Sequence, residues 1–122
     1  MNANDYQQEA LRTETIAFPV PLTEPLRSVR GELRLMNALM GLNGEAGEAI
    51  DVYKKYLFQG HDFDRVHLAK ELGDVAWYLA VCADALGYTM DDIFALNVDK
   101  LRLRYPGGFD VARSTFRRND DV

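Results

Sequence analysis

The sequence predicts an all-α protein, a bundle of four to five helices in one domain spanning residues 1–122. Three observations predict it. Proline is absent between Leu26 and Tyr105, so nothing in that block interrupts a helical hydrogen-bond ladder. Apolar residues there recur at i, i+3 and i+4, the period of a helix with one buried face. No segment shows the alternation of a strand.

Each element follows in order. Asp5 to Thr15 reads as a short first helix. The segment AFPVPLTEP, with prolines at 19, 21 and 25, reads as an extended connector, because a residue before proline is pushed out of the helical region. The helical core runs from about 26 to 105. Its first helix begins between Leu26 and Arg30 and continues to Leu57, with Leu35, Leu39, Leu42, Ala46, Ala49, Ile50, Tyr53 and Leu57 on its stripe, and Gly60 stops it. The next runs from Asp64 to Leu86 on Leu68, Leu72, Val75, Leu79 and Leu86, and Gly87 closes it. Thr89 caps the following helix and TMDD puts acidic residues in its first turn. Ile93, Leu96, Val98 and Leu101 supply its buried positions. Tyr105-Pro106-Gly107-Gly108 ends it, and a tail follows, docked or loose.

Bulk properties exclude several functions. The net charge of -5 does not attract a nucleic acid polymer. The single cysteine, Cys82, sits in an apolar run and reads as core. No apolar run is long enough to span a membrane, and MNANDYQQEALRTE lacks the order of a signal peptide. A cytoplasmic protein without membrane partners is expected.

Two acidic pairs carry the chemistry. Glu45 and Glu48 lie in LNGEAGEAIDVYKK, and Glu71 and Asp74 in AKELGDVAWYLA. At i,i+3, each pair puts two carboxylates on one helix face. Converging inside a bundle, they repel one another unless a cation joins them; the alternative is two solvated surface pairs. Mg²⁺ fits the oxygen donors, with Mn²⁺ as a substitute, and such an ion commonly holds phosphates. Asp51 continues the acidic row as ligand, supporting group or surface. His61 and His67 lie outside both pairs and read as turn or solvent residues. Gly41, Gly44 and Gly47 each cost roughly 1 kcal/mol in a helix interior. They serve a close helix crossing, a helix break or room for a ligand.

Asn97, Lys100 and Arg104 share one helix face and suit metal or phosphate: Asn97 as a hydrogen-bonding group, Lys100 as a point charge, Arg104 as a bidentate clamp. Surface charge is the competing reading. Lys54 could also reach an anion. Trp77, three residues past Asp74, is placed to line the same cleft or to pack in a core or interface.

Together these residues resemble the all-alpha nucleoside triphosphate pyrophosphohydrolases, in particular the short MazG-like proteins. The pattern is Glu45-x-x-Glu48, a spacer of 22 residues, then Glu71-x-x-Asp74. The flanking LNGEAGEAIDVYKKYLFQG and KELGDVAWYLA and the downstream NVDKLRLRYPGGF share the likeness, which covers roughly residues 28 to 109. The resemblance implies cleavage of a nucleoside triphosphate between its α and β phosphates, giving a monophosphate and pyrophosphate. It implies Glu45, Glu48, Glu71 and Asp74 as Mg²⁺ ligands, with one glutamate orienting the attacking water. Lys100 joins them in catalysis, and Asn97 and Lys100 approach metal or phosphates. It also implies a homodimer or homotetramer, and a role in clearing non-standard or excess nucleotides. Phosphoribosyl-ATP hydrolysis, narrow dUTP or dCTP hydrolysis, and a non-catalytic metal-binding oligomer are the alternatives.

Overall fold

The computed structural model describes residues 1–15 and 30–117. Within them lie five helices: α1 (Ala3–Leu11), α2 (Arg30–Gln59), α3 (Arg65–Ala85), α4 (Met90–Arg104) and α5 (Val111–Thr115). Among the described residues there is no strand, only an isolated bridge between Pro106 and Gly108. None of their helices is long and apolar enough to cross a membrane. The all-α expectation holds. The proline-rich connector and residues 26–29 lie outside the described residues.

Local chemistry sets the boundaries. Asn2 begins α1 through a capping box, its side chain accepting from the Asp5 N–H at 2.8 Å while the Asp5 carboxylate accepts from the Asn2 N–H. The helix ends at Leu11 rather than Thr15, because the Thr13 N–H turns back to the Ala10 carbonyl at 3.1 Å. Gly60, at φ 72°, ends α2 in a conformation that costs other residues strain. Asp64 then caps α3 by accepting from the His67 N–H at 2.8 Å. Gly87, at φ 81°, closes α3, and the Tyr88 N–H reaches back to the Ala83 carbonyl at 2.9 Å. Thr89 and Asp92 form the expected cap of α4 as a full capping box. Hydrogen bonds from Thr89 hold the Asp92 carboxyl below its ordinary value. Part of the tail is a fifth helix, capped by Asp110.

The long helices α2 and α3, joined by a short turn, pack along each other, and α1 crosses α3 beside the start of α4. Two adjoining clusters form the core. Ala10, Ala80, Ala83 and Met90 make one, with Tyr6, Trp77 and Ile93 against it. Ala38, Val81 and Cys82 make the other, with Leu35 and Tyr78. The buried positions are mostly small, so the helices approach closely. Gly41 belongs to this contact: a Cβ there would overlap the Tyr78 ring. The α2 helix runs unbroken through all three glycines.

Polar ties lock the α1 end. The buried Gln7 amide donates to the carbonyls of Tyr88 (3.0 Å) and Ala80 (3.3 Å) and accepts from the Met90 N–H (3.1 Å). Arg34 joins three segments, binding both Glu14 oxygens (2.6 and 2.7 Å) and Asp84 (2.7 Å). These hydrogen bonds stabilise its charged form.

Several positions expected to be buried are not. Leu96, Val98 and Leu101 of α4 are exposed, as are Leu39, Ala46, Ile50, Tyr53 and Leu57 of α2 and Leu72 and Leu86 at α3. The reason is geometric. Ile93 and Met90 anchor α4 to the core, and the rest of that helix leaves the α2–α3 pair. The outer face of α2 has no cover among the described residues.

Candidate metal and catalytic site

The helical spacing places Glu45 on the α2 face that meets α3, and it places Glu71 and Asp74 on the α3 face opposite. One carboxylate oxygen from each of the three lies within 4.8 Å of the others. Glu71 is the most enclosed, with 12% of its side chain exposed. Oxygens sharing one Mg²⁺ at about 2.1 Å lie no more than about 4.2 Å apart, so small side-chain rotations bring these groups onto one ion. An all-oxygen, triply anionic set suits a hard divalent cation and not a soft one. The electrostatics agree. Partial burial first, then the charges of Glu48, Asp74 and Glu71, raise the Glu45 carboxyl above its ordinary value. A bound cation would reverse that effect.

Glu48, the fourth expected ligand, stands outside the trio. It lines an adjoining open groove of about 920 Å³ with Asp51, Lys55, His61, Asp64, His67 and Glu71 among its walls. Glu48 and Glu71 therefore connect groove and trio. Asp51 is engaged by Lys55 at 2.7 Å and Lys54 at 3.0 Å, which lowers its own carboxyl. Of the two lysines, Lys55 faces the groove. Lys54 borders an apolar hollow with Ile50, Leu57 and Phe58.

His67, expected at a turn or in solvent, stands against the trio. Its Nε2 lies 2.8 Å from Glu71 Oε1. The i,i+4 spacing was visible in the sequence, but the histidine lies outside both acidic motifs.

The remaining expected residues are placed as follows. Trp77 faces α1, where its indole N–H donates to the Thr13 hydroxyl (2.8 Å) and the Ala10 carbonyl (3.1 Å), so within this chain it packs. Asn97, Lys100 and Arg104 ride on α4, the element that departs from α3. Arg104 lies over the Tyr105 ring at 6.0 Å. Behind the trio, the Tyr6 hydroxyl donates to the Gly73 carbonyl at 3.2 Å, and burial followed by the Asp74 charge raises its pKa. Around Gly44 and Gly47 an added Cβ would meet nothing within 4 Å. The helix crossing that accounts for Gly41 does not account for these two.

Residues 33–109 match the MazG nucleotide pyrophosphohydrolase domain, a stretch that contains Glu45, Glu48, Glu71 and Asp74. A segment of 73 residues is 38% identical to the Gene 37 protein of Mycobacterium phage L5, covering 57% of this chain and 64% of that protein. No solved structure matches.

Proposed function

Because this chain belongs to the MazG nucleotide pyrophosphohydrolase family, we propose that it hydrolyses a nucleoside triphosphate between the α and β phosphates, with Mg²⁺, to a monophosphate and pyrophosphate. The meeting of Glu45, Glu71 and Asp74 across the α2–α3 interface is the observation that carries this reading. Those three residues would hold the divalent ion, Mg²⁺ or in substitution Mn²⁺. When bound, the ion supplies positive charge to phosphate oxygens and acidity to water. Glu48 stands beside the trio at the groove, either as a further ligand or as the group that takes the attacking water's proton. The water oxygen bonds to phosphorus, the bridging P–O bond breaks, and pyrophosphate leaves.

Lys100, Asn97 and Arg104 would bind the triphosphate. They lie on α4, which turns away from α3 within one chain, so this assignment favours an assembled site. The uncovered apolar faces support a homodimer or homotetramer: Ile50 is 69% exposed, Phe58 80% and Leu103 76%. Light scattering is expected to give a mass at least twice that of the chain, and a clean monomer would refute this assembly.

Incubation with Mg²⁺ and a panel of ordinary, deoxy and modified nucleoside triphosphates, with phosphoribosyl-ATP included, tests the reaction. Monophosphate and pyrophosphate in equal amounts are expected, and the panel ranks the base and sugar. Orthophosphate release, or no turnover across the panel, would overturn the proposal.

A further inference from the structure

We propose that His67 is a positioning residue for the metal site, holding Glu71 in its ligating orientation. The inference rests on the metal reading above and adds a residue outside the four-carboxylate motif.

Geometry carries it. Glu71 is the most enclosed carboxylate of the trio and lies among like charges. An ionised carboxylate only accepts hydrogen bonds, so in the pair with Glu71 the His67 Nε2 must carry the hydrogen, in the neutral or the charged ring. At 2.8 Å this contact fixes one Glu71 oxygen and restricts the rotation of the other. The His67 backbone N–H donates to the capping Asp64 carboxylate at 2.8 Å, which anchors the residue in the first turn of α3, while its side chain is 53% exposed. The ring therefore springs from the capped first turn of α3 and meets the carboxylate one turn further along the same helix. The ring also forms part of the groove wall beside Glu48. Groups that orient a metal's ligands from behind typically change its affinity by about 10–100-fold when removed.

Mn²⁺ binding to the purified full chain, followed by electron paramagnetic resonance, tests this without turnover. Three proteins suffice: wild type, His67→Ala and His67→Gln. Glutamine keeps an N–H donor within reach of Glu71. The expected result is a dissociation constant raised about tenfold or more in His67→Ala, with His67→Gln close to wild type and all three equal in helix content by circular dichroism. Equal affinity in wild type and His67→Ala would overturn the role of His67 and leave the metal site standing. Equal weakening in both variants would overturn the hydrogen-bond account. Absence of Mn²⁺ binding to the wild type would overturn the metal site itself, and His67's role with it.

Discussion

Where α1 crosses α3, every polar side chain that enters the interior is answered. Gln7 makes three hydrogen bonds to backbone groups of α3, the α3–α4 turn and the start of α4, the Trp77 indole has its acceptors, and Arg34 is neutralised by Glu14 and Asp84. Further along the same α2–α3 pair, Glu45, Glu71 and Asp74 face one another, with the His67 ring against Glu71. On the same stretch of α2, an added Cβ at Gly44 or Gly47 would meet no described atom within 4 Å. One region satisfies its own chemistry. The other carries repulsion that folding alone does not reward, which is the pattern of a site that waits for a ligand.

Breaking that contrast has its largest effect at the acidic end. Glu71→Gln and Glu48→Gln keep volume and remove charge. Each is expected to lower turnover by roughly a hundredfold to ten-thousandfold, the equivalent of several kcal/mol of lost charge stabilisation, with an unchanged circular dichroism spectrum. Wild-type turnover in either purified variant would remove that residue from the site.

At the satisfied end the expected loss is in stability and not in chemistry. Gln7→Leu strands the buried Met90 N–H and removes the amide donor from the Ala80 and Tyr88 carbonyls, at a cost of about 1–3 kcal/mol. Urea unfolding measures it, and an unchanged midpoint would mean that the network contributes nothing net.

The glycines sharpen the comparison within one helix. Gly41→Ala forces the Tyr78 ring to move and should destabilise by about 1–3 kcal/mol. Gly44→Ala meets no atom of the described residues within 4 Å and should stabilise the helix by up to about 1 kcal/mol. Thermal melts of the two variants check the opposite signs, and a matching sign would show that one cause accounts for both glycines.

The same contrast explains what was legible in the sequence. Helices α2, α3 and α4 follow from periodicity, and their ends from Gly60, Gly87 and Thr89, because caps and turns are local. The convergence of Glu45 with Glu71 and Asp74 follows from spacing plus the packing of two adjacent helices. Longer-range facts were hidden. Period shows that Leu96, Val98 and Leu101 share an apolar side, but not whether the same chain covers it. Trp77 turns to α1 because Ala10 and Thr13 offer acceptors, a pairing across more than sixty positions of sequence. Glu48 stands off from the trio although its spacing matches that of Asp74, since side-chain direction at a helix crossing depends on how the helices are rotated.

The most direct test of this account is the melting temperature of wild type and Glu45→Gln, each with a chelator and with Mg²⁺. Because the folded-state pKa of Glu45 is raised, the folded protein holds that proton more tightly than the unfolded chain. The stability this confers is fully present below the ordinary glutamate value and is lost as the pH rises through the raised one. Near neutral pH the ionised group therefore works against folding until a cation binds. Glu45→Gln is expected to melt higher than wild type in chelator and to lose most of the gain that Mg²⁺ gives wild type. A variant that melts no higher in chelator and keeps the full Mg²⁺ gain would contradict it.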